Sequence, residues 1–138
     1  MTRLNWGMIG GGEGSQIGPA HRLGAAVDGE FAFAAGALDH RPDAGRAYAQ
    51  RLGISAERAY GDWCEMLAGE KDRNDRIDLV TVATPNATHF EIAKAFLSEG
   101  FDVLCEKPMT ITVEESEEIV NLCRETGRIC AVNYGYTG

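Results

Sequence analysis

A chain of 138 residues, 44% hydrophobic and 25% charged, has the length and make-up of one soluble globular domain, long enough to bury about two thirds of its unfolded surface. The net charge of −8 excludes nucleic acid as a partner, because a phosphate backbone needs a basic face; a dinucleotide, gripped mainly by backbone amides, stays open. Nothing approaches the ~18 consecutive apolar residues of a membrane span, and the opening MTRLNWG lacks a signal-peptide core, so no membrane partner and a cytoplasmic location are expected.

The first predicted strand, Leu4–Ile9, stops at Gly10-Gly11-Gly12, and a helix follows over about Gly18–Val27. A strand, a glycine turn and a helix in that order form a phosphate-gripping element: glycines let the backbone approach a pyrophosphate, and helix-start N–H groups face its charge. Gly10 and Gly12 supply the first two glycines of G-x-G-x-x-G, but the sixth position is Ser15. A three-residue insertion repairs the pattern, with Gly18 as the third glycine and Gly14, Ser15 and Gln16 as an enlarged lip. Ile17 completes the set of candidate cofactor-binding residues in this loop.

A second strand, Phe31–Leu38, leads to Asp39, 27 residues beyond Gly12. A carboxylate there can accept from adenine-ribose hydroxyls and repel a 2′-phosphate, which favours NAD over NADP. His40 and Arg41 beside it could instead admit that phosphate, and Asp39 could simply cap the helix begun at Pro42. That helix runs to Leu52 and ends at Gly53. A short third strand is expected around Arg58–Tyr60, then a helix over Asp62–Ala68 with Asp62 and Glu65 as a capping pair. The polar run Glu70–Arg76 reads as a solvated loop.

The fourth strand, Leu79–Ala83, closes on ATPNATH (Ala83–His89), a turn at the strand's carboxyl end. Thr84, Asn86 and His89 are candidates to line a ligand there. Asn86 could equally cap the next helix, Ala87–Ser98, and His89 could be a surface residue. The fifth strand, Phe101–Cys105, runs into Glu106-Lys107-Pro108, an acid and a base together at the same sheet edge. Charged groups ending a buried strand need a solvated or ligand-lined mouth. Lys107 can hydrogen-bond a ribose or substrate oxygen as a fixed cation and is the candidate catalytic residue, although a structural Lys–Glu pair is the alternative. Thr112 and Glu115 fit a capping box on a helix over Val113–Thr126, with Val113, Ile119, Val120 and Cys123 inward and Gly127 ending it. A last strand, Ile129–Val132, precedes NYGYTG. The four cysteines show no C-x-x-C pair and could form two disulfides, but without a secretion signal a reducing compartment is expected, and no metal site.

Strands and helices alternate, and the strands are apolar throughout, which predicts a three-layer, doubly wound parallel α/β sheet in the order 3-2-1-4-5-6. The ordered set GGG…IGPAHR, ATPNATH and EKPMT resembles the glucose–fructose oxidoreductase / inositol dehydrogenase / MocA family over Leu4 to about Asn133. Glu-Lys-Pro is the most specific element. The resemblance implies an N-terminal Rossmann domain that binds NAD or NADP for hydride transfer with a sugar, cyclitol or related small alcohol or carbonyl. It also implies Lys107 near the nicotinamide ribose and substrate, Glu106 in the cofactor pocket, and a cis Lys107–Pro108 bond. Members carry a second domain that holds the substrate, supplies a catalytic Asp/His pair and mediates self-association into a homo-oligomer. The end at Gly138 therefore reads as one domain of a longer chain, inactive alone. A non-catalytic dinucleotide sensor, or a domain for another adenine nucleotide, is the rival reading.

Overall fold

The structure is a computed structural model that describes residues 2–135; the last three residues of NYGYTG lie outside the described residues. Five parallel strands, β1 (Leu4–Gly10), β2 (Phe31–Ala37), β3 (Leu79–Ala83), β4 (Asp102–Glu106) and β5 (Cys130–Asn133), form one sheet in the order β2-β1-β3-β4-β5. The helices are α1 (Ile17–Ala26), α2 (Pro42–Arg51), α3 (Trp63–Glu70), α4 (His89–Ser98) and α5 (Val113–Thr126). Because the pleat alternates, Trp6 and Met8 of β1 face one core, and Ile9 faces the other. The first core also takes Ala25 of α1 with Tyr48 and Ala49 of α2. The second takes Met66 of α3, Phe96 of α4 and Ile119 of α5.

Local signals account for most helix ends. Asp62 accepts from the Glu65 N–H at 2.8 Å, and Thr112 and Glu115 form the reciprocal capping box. Gly127 ends α5 in the left-handed region at φ +67°. The inward stripe of α5 is narrower than expected, because the helix packs on α4 and only the edge strand β5: Ile119 is buried, whereas Val113 and Val120 are exposed.

Two expectations fail for one reason. The third strand is a single parallel bridge, Gly36 to Ala59, with the Tyr60 N–H donating to the Gly36 carbonyl at 2.8 Å. Glu70, expected in a solvated loop, is fully buried at the end of α3. Its carboxylate accepts from Arg58 Nε and Nη2 at 2.9 and 2.6 Å, Tyr60 Oη at 2.9 Å and the Ile77 N–H at 3.0 Å. To reach Glu70 the chain turns inward through a 3₁₀ turn at Ala56–Arg58, which leaves one residue to run beside β2.

The face under α1 is thinner toward β4. There Leu79, Thr81 and Leu104 line an open hollow of about 310 Å³ that His21 and Asn133 border. The Trp6 indole donates to Thr81 Oγ1 at 2.8 Å, which satisfies this buried hydroxyl inside the sheet.

Candidate functional site

Parallel strands bring every carboxyl end to one edge. β2 lies on one side of β1 and β3 on the other, so the chain reverses its direction of growth at β1, and a crevice opens there. The register aligns Gly10 with Ala83 and Glu106 with Asn133. The glycine turn and the Glu106-Lys107-Pro108 corner therefore stand on the same rim, two strand spacings or roughly 10 Å apart.

The glycine turn is built for backbone contact. Gly10 and Gly11 sit at φ +75° and +67°, which disfavours any side chain. A Cβ on Gly12 would lie 2.3 Å from the Leu38 carbonyl oxygen, and one on Gly18 would lie 2.1 Å from that of Gly11. So α1 and β2 both press on the turn, and only bare backbone fits. Gly14, at φ +82°, has nothing within 4 Å of a built Cβ and forms an open lip. Ser15 turns inward instead, its Oγ accepting from the Gly18 N–H at 3.0 Å. Gln16 and Ile17 are exposed where α1 begins. This cradle suits a pyrophosphate: open glycine backbone and a helix N-terminus, with the Ser15 hydroxyl as the side chain turned in between them.

Asp39 lies two residues beyond β2, beside this turn. Its carboxylate accepts from the Arg41 N–H at 2.9 Å and from Arg41 Nε and Nη2, each at 3.2 Å; His40 Nδ1 lies 3.2 Å away. The Arg41 hydrogen bonds hold the Asp39 carboxyl down at about 2, although its partial burial acts the other way. The α2 N-cap is Arg41, and no side-chain bond caps the helix, so capping does not account for Asp39.

Thr84 follows β3, and its methyl lies 3.1 Å from a Cβ built on Gly10, so this turn abuts the glycine loop. Asn86 is exposed in a 3₁₀ turn; α4 begins only at His89, with Thr88 before it, so Asn86 is not its cap. His89 is neither at the surface nor open to a ligand. It is fully buried, with Nδ1 2.7 Å from the Pro108 carbonyl oxygen and Nε2 2.8 Å from that of Thr84. Both ring nitrogens face backbone carbonyls at adjacent strand ends, so neither is turned to a ligand; a neutral ring donates to one of the two. His89 thus braces the crevice wall.

The Glu106-Lys107-Pro108 corner is pinned on both sides of Lys107. Pro108, after a cis peptide bond, is held through His89. Glu106 Oε1 accepts from His21 Nε2 and from Asn133 Nδ2, both at 2.7 Å. Burial pushes the Glu106 carboxyl up, but the bonds from Asn133 and His21 outweigh it and keep the group below the usual glutamate range. Lys107 itself is exposed.

Three residues that the sequence reading did not single out join this site: His21, Arg22 and Asn133. Arg22 Nη1 donates to the Gly11 carbonyl at 2.8 Å, and its Nη2 donates to Tyr48 Oη at 3.1 Å, tying the turn to α2. Helical spacing contained the signal for two of them. Gly18 packs on Gly11, so residues three and four later, His21 and Arg22, face the same way.

The chain matches the profile of the GFO_IDH_MocA oxidoreductase family, NAD-binding Rossmann fold, over residues 4–134. It is 45% identical over 136 residues to the uncharacterized oxidoreductase YfiI of Bacillus subtilis, covering 98% of this chain and 35% of that protein. It is 34% identical to levoglucosan dehydrogenase of Pseudarthrobacter phenanthrenivorans, over 99% of this chain and 34% of that one. Among solved structures, an inositol dehydrogenase homolog of Azotobacter vinelandii, complexed with NADH and myo-inositol, superposes with a TM-score of 0.95 at 43% identity. It covers 98% of this chain and 36% of that one. The chain thus spans about a third of the length of the relatives it matches. With a glycine turn and a Glu-Lys-Pro corner on one crevice, and a match along nearly its whole length, the chain belongs to this oxidoreductase family as an NAD-binding Rossmann domain.

Proposed function

We propose that this domain is the cofactor half of an NAD-dependent dehydrogenase for a sugar, cyclitol or related small alcohol or carbonyl. The observation that carries the reading is the shared rim: the glycine turn and the Lys107 corner flank the point where the sheet reverses. A bound nicotinamide would supply the hydride chemistry. Backbone amides of Gly10–Gly18 would hold its pyrophosphate, and Asp39 would accept from the adenine ribose. Lys107 would present a fixed cation to a ribose or substrate oxygen. Thr84, Asn86 and Glu106 would form the wall between these two ends. Substrate choice and the partner proton-transfer group belong to the two thirds of the relatives' length that these residues do not span, as does any self-association. The names of the relatives, a levoglucosan dehydrogenase and an inositol dehydrogenase homolog among them, support the substrate class. Among the described residues no helix is long and apolar enough to cross a membrane.

A fluorescence titration tests the reading. NADH should bind the 138-residue chain at least about tenfold more tightly than NADPH, because Asp39 stays ionised and already engages Arg41. S-adenosylmethionine should not compete. A preference for NADPH, or displacement by S-adenosylmethionine, would overturn it.

A further inference from the structure

The Rossmann reading uses the glycine turn and Lys107 but assigns nothing to the side chain that joins them. His21 stands on α1, four residues after the helix begins, and reaches past β3 to the end of β4. Its side chain is 8% exposed and that of Glu106 is 13% exposed, so neither is a mobile surface group. One carboxylate oxygen, Glu106 Oε1, takes both the His21 and the Asn133 donor at 2.7 Å. Carboxylate–donor bonds of this length are of the charge-assisted kind, roughly twice as strong as neutral ones. On the other side of the corner, His89 ties the Pro108 carbonyl to that of Thr84. Residues 106 and 108 are therefore both anchored, Glu106 by its side chain and Pro108 by its carbonyl, on either side of the exposed Lys107. The two anchors differ in what they reach. His89 connects the corner to the neighbouring strand end, whereas His21 connects it to the helix whose start forms the phosphate cradle.

We propose that His21 is a positioning residue. Through Glu106 it fixes the distance between the phosphate cradle and Lys107, and so favours dinucleotides whose nicotinamide end reaches the corner. The inference rests on the dinucleotide reading above and deepens it. Asn133 shares the task by holding the same oxygen from β5.

The test compares NADH with ADP, which keeps the adenosine and the pyrophosphate but lacks the second ribose and nicotinamide. Binding is measured on the 138-residue chain by NADH fluorescence and by calorimetry. His21→Ala should weaken NADH about tenfold, as loss of one charge-assisted bond implies, and leave ADP within about twofold. His21→Gln, which can return a donor at the same reach, should restore most of the NADH affinity. Asn133→Ala, which leaves α1 untouched, should show the same selective loss and decides the matter if His21→Ala does not fold. Equal weakening of both ligands would make the contact merely structural and overturn the proposal, as would no change in either. A wild-type chain that binds neither ligand would overturn the dinucleotide reading itself, a different result from either of these.

Discussion

Two glutamates show how the same side chain is held for different ends. Glu70 is fully buried at the end of α3, where Arg58, Tyr60 and the Ile77 N–H satisfy its two oxygens. Glu106 stands at the crevice mouth, with His21 and Asn133 on one oxygen and some exposure left. The first arrangement closes a corner of the fold and leaves nothing free to react. It even pushes the Tyr60 hydroxyl well above the usual tyrosine range, through burial and the adjacent carboxylate. The second holds a corner in place while the adjacent residue, Lys107, faces outward. Exposure, more than the number of partners, separates a structural carboxylate from a positioning one.

The largest effect that would break this comparison comes from Glu70. Glu70→Ala leaves the buried Arg58 guanidinium with only the Asp75 carbonyl at 3.2 Å and its exposed carboxylate at 3.7 Å, and should cost about 3–5 kcal/mol in urea unfolding. A loss below about 1 kcal/mol would show that water reaches the site, and the contrast with Glu106 would fall.

Glu106→Gln should cost less, about 1–2 kcal/mol at neutral pH, because its site is partly open and the amide keeps an acceptor. The cost should also depend on pH. The folded-state Glu106 carboxyl is lowered, so its contribution is fully present above the unfolded carboxylate value and is lost as pH falls through the folded one. The gap between wild type and Glu106→Gln should therefore shrink from pH 7 to pH 3. A constant gap would contradict an ionised Glu106 held by His21 and Asn133.

The smallest effect sets the baseline. Thr112→Ala removes one exposed capping bond that involves neither carboxylate and should cost about 1 kcal/mol at either pH. A pH-dependent loss there would mean that the Glu106 result reports general acid sensitivity.

Where the chain's own neighbours decide the structure, the sequence was legible. The glycine turn, the Asp62 and Thr112 caps and the alternation of elements are local, and the family resemblance rests on such segments. Glu70 was not legible, because it sits in a run of charged residues and its partners become neighbours only after folding. The bridge at Ala59 follows from that same hidden pairing. His89 shows the limit from the other direction. Its place in ATPNATH marked it as part of the site, but only the fold reveals that its two nitrogens face backbone carbonyls and not a ligand. Val120 fell out of the α5 stripe because an edge helix buries a narrower face than a central one.

The central claim is that a nicotinamide dinucleotide spans from the glycine turn to the Lys107 corner. Backbone amide NMR of the 138-residue chain during an NADH titration tests it directly. The account predicts saturable shifts at Gly10–Gly18, at Asp39 and at Thr84, and also at Glu106 and Lys107. Shifts confined to the hollow around Leu79 and Leu104, or at the glycine turn with none at the corner, would contradict it.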